Sequence, residues 1–269
     1  MDVLDRYITK DIGGVQGWLR PEAADLIAQL ARTQSAVGAV GEIGVHHGKL
    51  FLLLALSRRS GERGVAIDLF EDQEKNVDHS GLGDRTRFVE NLNRLDPSAS
   101  TVTIHSADST TLTTKDLLGL SQQSYRLFSV DGGHTAGITR SDLAISSGAL
   151  TPGGLLILDD YFNVRWPGVS EGTNRFLAND PPVVAFATGH GKTFFTHESA
   201  VEDYRGVIKD QAESRGWRLT EQPFFERPIL IVETRPRPPM HRRAISAVRA
   251  TSVGRTLTDP VVRLVRRSS

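Results

Sequence analysis

Apolar positions along the chain gather into short runs separated by longer amphipathic stretches. Residues 36–43, 64–67, 101–104, 126–130 and 155–158 are brief apolar runs bounded by glycine or polar residues, the mark of buried strands. Between them, 50–56, 84–95, 115–118 and 138–150 read as helices. Pro21 opens an earlier one, with Glu22 in its first turn and Ala24, Ile27, Ala28 and Leu30 on its apolar side. Strands alternating with helices predict a doubly wound, mostly parallel sheet. After residue 160 the pattern changes. Residues 183–187 and 193–196 flank Gly189-His190-Gly191-Lys192 and predict a β-hairpin, followed by a helix over 200–215 and a strand over 228–232. Residues 70–83 and the run Thr151-Pro152-Gly153-Gly154 read as loop and turn, and no segment repeats.

Two of these strands end abruptly in acids. The run Leu127-Phe128-Ser129-Val130 stops at Asp131-Gly132-Gly133-His134, and Leu155-Leu156-Ile157-Leu158 stops at Asp159-Asp160. With one helix between them they form a strand-helix-strand unit, so all three acids reach one sheet edge. Ligands of open α/β sheets bind outside the carboxyl ends of the strands. Clustered carboxylates repel unless a cation lies among them, and hard oxygen donors suit Mg²⁺, Mn²⁺ or Ca²⁺.

Composition narrows the class only a little. The 269 residues, 39% hydrophobic and 24% charged, suit one large domain or one domain with extensions. There are no cysteines, which removes disulfides, thiolate metal sites and cysteine nucleophiles. The N-terminus carries acids and lacks the basic-then-apolar build of a signal peptide. No apolar stretch approaches a membrane span, so the expected location is cytoplasmic. The net charge of zero hides an asymmetry: from Arg235 onward nine arginines face one acid, leaving the body acidic. We divide the chain into an N-terminal segment and helix (1–35) that covers the site, a central domain (36–234) and a basic tail (235–269) with a short helix over 244–250. The tail reads as a solvated extension rather than a nucleic-acid arm.

The first strand runs into Glu42-Ile43-Gly44-Val45-His46-His47-Gly48 and then a helix. Gly44 and Gly48 allow a ligand close to the backbone, and the helix N-terminus offers free N–H groups. Asp68, ending the second strand, suits ribose hydroxyls, and Asp108, at the tip of the third, suits an adenine amino group. This combination points to a nucleoside. The dinucleotide fingerprint would place a pyrophosphate where Glu42 stands, so the acid disfavours NAD. S-adenosylmethionine, with a sulfonium and an ammonium and no phosphate, tolerates it.

From these residues the segment 41–176 resembles the class I S-adenosylmethionine-dependent methyltransferases, and within them the metal-dependent sugar O-methyltransferases of macrolide and mycobacterial polysaccharide synthesis. The resemblance is carried by Glu42 to Gly48, Asp68, Asp131-Gly132-Gly133-His134 and Asp159-Asp160. It implies a Rossmann-like, seven-stranded sheet with one antiparallel strand, a sugar hydroxyl (a mannoside, for example) as acceptor, and a homodimer by analogy. Catechol-type relatives place an asparagine where Asp160 stands.

Function then follows as a set of expectations. Asp131, Asp159 and Asp160 hold one Mg²⁺ or Mn²⁺, which favours the alkoxide of an acceptor hydroxyl. His134 takes the proton. Glu42, Gly44, Gly48, Asp68, Gln73, Asp108 and Asp131 surround the cofactor. Tyr161, Asn163, Trp166 and Glu171, in a loop that Gly168 and Gly172 allow to move, contact a small-molecule or oligosaccharide acceptor. Residues 71–83 form a second lid, Trp18 and Gln16 fold over the cofactor, and His190 and His197 are structural. Each acid has a plainer alternative as a helix cap or an arginine partner. The rival functions are a catechol or phenol O-methyltransferase and an NAD-dependent oxidoreductase.

Overall fold

The computed structural model describes residues 1–235, so the arginine-rich tail and its expected helix lie outside the described residues. In chain order the elements are α1 (Val3–Arg6), α2 (Pro21–Thr33), β1 (Ala39–Ile43), α3 (Lys49–Leu56), β2 (Gly64–Asp68), α4 (Arg85–Leu95), β3 (Val102–Ser106), α5 (Thr114–Ser121), β4 (Tyr125–Val130), α6 (Ala136–Gly148), β5 (Leu150–Asp159), α7 (Pro167–Leu177), β6 (Val184–Gly189), β7 (Lys192–Thr196), α8 (Val201–Arg215), β8 (Arg218–Phe224) and β9 (Arg227–Glu233).

Among the described residues nine strands join one sheet in the order β3-β2-β1-β4-β5-β7-β6-β9-β8. The first five are parallel, β7 runs against β5 and β6, and β8 runs against β9. The doubly wound α/β expectation holds, with nine strands instead of seven and two antiparallel ones instead of one. The strand missing from the sequence reading is β8. It lies at the sheet edge with every side chain exposed or half-exposed, so no buried face imposes alternation on it.

Strand side chains alternate between two apolar layers. Val40, Ala66, Leu127 and Ile157 pack under α2, α3, α4 and α8, whereas Ile43, Ile67, Phe128 and Leu158 pack under α5, α6 and α7. Helix α3 is apolar on nearly every side (Leu50 to Ala55 are all buried) because it is enclosed by α1, α2 and the sheet. Within this core, Arg126 is fully buried on β4 and held by Glu62 at 2.8 Å and the Ser57 carbonyl at 2.7 Å. No helix among the described residues is long and apolar enough to cross a membrane.

Two sequence readings change here. Thr151-Pro152-Gly153-Gly154 belongs to β5, whose pairing with β4 shifts register at that point. The stretch expected to be a mobile loop contains α7, packed on α6. A Cβ on Gly168 would lie 2.4 Å from the His134 carbonyl oxygen, and one on Gly172 would lie 2.6 Å from that of Ala136. These glycines let the two helices pack closely together.

Candidate active site

The sheet order reverses between β1 and β4, and the main cleft opens at the carboxyl ends of the strands around that point. Gly44 has φ +87°, and a Cβ there would sit 1.7 Å from the Asp131 carbonyl oxygen. Only glycine lets the β1 turn cross the end of β4 this closely. Gly48 (φ +91°) caps α3 and does not line the cleft; a Cβ on it would lie 2.7 Å from the Phe88 ring. Asp68 organises the neighbouring turns: its carboxylate accepts from the His46 N–H at 2.7 Å and the Phe70 N–H at 2.6 Å. Burial raises its pKa above the usual aspartate value, opposed by those backbone donors.

The cleft has a volume of about 880 Å³. Of the residues expected around the cofactor, Gly44, Asp68, Gln73, Asp108 and Asp131 line it. Trp18 and Ser80 stand at it as well, Trp18 76% exposed with its ring 5.4 Å from His46. Glu42 does not line it. That side chain is 1% exposed, and burial pushes its carboxyl up to about 8, against the pull of Lys192 and Ser129. Burial thus opposes a charge on Glu42, and its carboxyl stands behind the cleft wall instead of facing a ligand.

At the ends of β4 and β5 the acids separate into two groups. Asp131, His134 and Asp160 each present a ligand atom within 4.8 Å of the other two. Asp159 belongs elsewhere: its Oδ2 lies 2.5 Å from Lys192 Nζ, and Asp131 Oδ2 lies 3.8 Å from the same ammonium. Burial raises the Asp131 pKa well above its ordinary value, Asp159 adds to the rise, and Lys192 opposes it. Burial alone would lower the Lys192 pKa, but Asp159 and Asp131 more than reverse that. The expected metal trio Asp131, Asp159 and Asp160 is therefore not a free set.

His134 sits between two carboxylates. Asp78 Oδ2 accepts from its backbone N–H at 2.5 Å and contacts ring Nδ1 at 3.0 Å, while Nε2 faces Asp160 Oδ2 at 3.5 Å. The ring stacks on Trp166, with centroids 4.2 Å apart and planes 24° apart. Burial would lower the His134 pKa, but contacts with Asp160 and Asp78 raise it overall. Burial works against Asp160 too, yet His134 and Asn163 hold its carboxyl below the ordinary value. Asp160 has φ +59°, an uncommon backbone for a residue other than glycine, which aspartate tolerates better than most.

Of the expected acceptor contacts, Asn163 and Trp166 line the cleft and Tyr161 and Glu171 do not. Tyr161 is 3% exposed, and its hydroxyl donates to Asn174 Oδ1 at 2.6 Å, so it joins the core. Glu171 is exposed on α7 and pairs with Arg175 one turn later. His190, expected to be structural, lines the cleft while packing on Trp217; His46 lines it and His47 does not.

Sequence reasoning misses Lys192 and Asp78. Along the chain Lys192 is only the end of a hairpin turn, and the antiparallel register, which sets it opposite Asp159, is what reveals its role. Asp78 lies in the polar stretch 70–83, where no local pattern distinguishes one acid from its neighbours.

Residues 42–161 match the family model described as "Methyltransferase domain", a span holding the β1 turn, Asp68, Asp131, His134, Asp159 and Asp160. No curated protein matches the chain in sequence. Among solved structures, an O-methyltransferase from Bacillus cereus in complex with SAH is 15% identical, with a TM-score of 0.52 over 72% of this chain and 90% of that one. A TDP-rhamnose 3'-O-methyltransferase of calicheamicin biosynthesis is 16% identical, with a TM-score of 0.49 over 72% and 91%. The mycinamycin-pathway methyltransferase MycE, in complex with Mg and SAH, is 17% identical, with a TM-score of 0.48 over 72% and 53%. The matched domain spans less than half of the chain, and the likeness to the Bacillus cereus enzyme places the sheet in the fold that O-methyltransferases share.

Proposed function

We propose that the chain methylates a hydroxyl oxygen of a sugar or sugar-bearing small molecule, with S-adenosylmethionine as donor. The observation that carries this reading is the pairing of His134 with Asp78 at the cleft wall. A hydroxyl is a poor nucleophile at neutral pH and needs a positioned base. In the neutral ring Asp78 holds the proton on Nδ1, which leaves Nε2 as the acceptor for the hydroxyl proton. The 3.5 Å contact of Nε2 with Asp160 is long for a hydrogen bond, so it yields readily to an incoming alcohol. When bound, S-adenosylmethionine supplies a methyl group on a positively charged sulfur, and S-adenosylhomocysteine leaves. Trp166 and Asn163 offer a flat face and an amide beside the base, a pairing suited to a polyhydroxylated ring.

The divalent ion expected from the resemblance fits these residues poorly. Its carboxylate trio is broken by Lys192 at Asp159, and the third donor gathered with Asp131 and Asp160 is His134, whose Nε2 the base needs. Deprotonation is accordingly assigned to His134 and Asp78 alone.

The test is transfer of tritiated methyl from S-adenosylmethionine to a panel of mannosides, other glycosides, catechols and phenols. Label should enter a glycoside, and His134→Ala should abolish it. Label entering catechols alone would favour a phenolic acceptor.

A further inference from the structure

We propose that Lys192 is the cation around which Asp131 and Asp159 are built, taking the place that a divalent ion would fill at this strand edge. The inference rests on the methyltransferase reading of the cleft. Lys192 begins β7, and the register of the β5–β7 pair sets it directly opposite Asp159. Its side chain is 3% exposed, so the ammonium has given up most of its water, and burial is tolerable only against fixed opposite charge. That charge is present: Asp159 Oδ2 at 2.5 Å, at the end of β5, and Asp131 Oδ2 at 3.8 Å, just beyond β4.

The consequence for an ion is direct. Mg²⁺ and Ca²⁺ bind carboxylate oxygens at roughly 2.0–2.6 Å. An ion bound to Asp159 Oδ2 would lie beside the ammonium that already contacts that oxygen, and the two cations repel. The lysine also shares Asp131, so two of the three expected carboxylates are compensated from within the chain. Lys192 lines the same cleft as His134 and Asp160, which puts its positive charge beside the proposed reaction. It acts through the two aspartates, as a positioning residue: it fixes their carboxylates and lowers the charge that would draw in a divalent ion.

The test uses the full-length chain. Calorimetry with S-adenosylhomocysteine reports the cofactor site, and electron paramagnetic resonance reports titration with MnCl₂. The wild type should bind S-adenosylhomocysteine and show no saturable Mn²⁺ site below about 1 mM. Lys192→Met, which keeps the stem and removes the charge, should keep the cofactor and gain a Mn²⁺ site at least about ten-fold tighter. A wild type that binds one Mn²⁺ at micromolar concentration and loses it in Asp159→Asn overturns the proposal, as does Lys192→Met with no gain. If Lys192→Met does not fold, Lys192→Gln and the wild-type titration decide. Failure of the wild type to bind S-adenosylhomocysteine counts against the methyltransferase reading, while the Mn²⁺ titration still judges the lysine.

Discussion

Asp78 grips His134 twice with one carboxylate oxygen, accepting from the backbone N–H at 2.5 Å and contacting ring Nδ1 at 3.0 Å. The acid comes from the loop between β2 and α4, and the histidine from the loop after β4. The contact therefore ties two cleft walls together and sets the ring's tautomer. Asp78→Asn should leave S-adenosylhomocysteine affinity within about two-fold while lowering kcat by about 10²-fold. Calorimetry and radiolabel transfer to the accepted glycoside read the two separately. Unchanged turnover would show that the ring needs no orienting acid.

Gly44 offers a test of the β1 turn. A methyl group at this position collides with the Asp131 carbonyl, and φ is +87° besides. Gly44→Ala should lower stability by at least about 1–3 kcal/mol and remove cofactor binding, as read by thermal melting with and without S-adenosylhomocysteine. A variant that melts like the wild type and shifts equally on adding ligand would contradict the geometry.

Asp142 gives a pH dependence. It is fully buried on α6, and burial pushes its carboxyl up to about 7, against the pull of the Ser109 hydroxyl. In the unfolded chain an aspartate titrates near 4 (about 3.9). Between about pH 4 and 7 the folded state therefore holds a proton that the unfolded state has lost. Stability falls as pH rises through that window, and the full cost remains above it. Asp142→Asn should be more stable than the wild type at pH 8 by about 1–3 kcal/mol, with the difference shrinking toward pH 4. Denaturant melts at pH 4.5 and pH 8 check this; a difference that does not change with pH would rule the buried carboxyl out as its source.

Trp166 and Glu171 separate the cleft from the surface nearby. Trp166 stacks on His134, whereas Glu171 makes an exposed pair with Arg175, worth only about 0.3–0.5 kcal/mol. Trp166→Ala should raise KM for the acceptor and lower kcat, with Glu171→Ala indistinguishable from the wild type in both kinetics and melting. Equal losses in the two variants would return Glu171 to the acceptor site.

The sequence by itself determined the layers. Buried runs such as Leu127-Phe128-Ser129-Val130 and amphipathic helices such as α2 carry their periodicity locally, and the acids that end β2, β4 and β5 show where a parallel sheet opens. Edge strand β8 left no trace, because a strand without a buried face has no hydrophobic alternation. Helix α7 was hidden by Gly168 and Gly172, which read as flexible until their contacts with α6 are known. The partners of the acids were decided only by tertiary structure. Lys192 meets Asp159 through strand register, and Asp78 meets His134 across 56 positions of chain. A charge shows its type in the sequence but not which opposite charge the fold will bring within reach, and at this strand edge that pairing governs the chemistry.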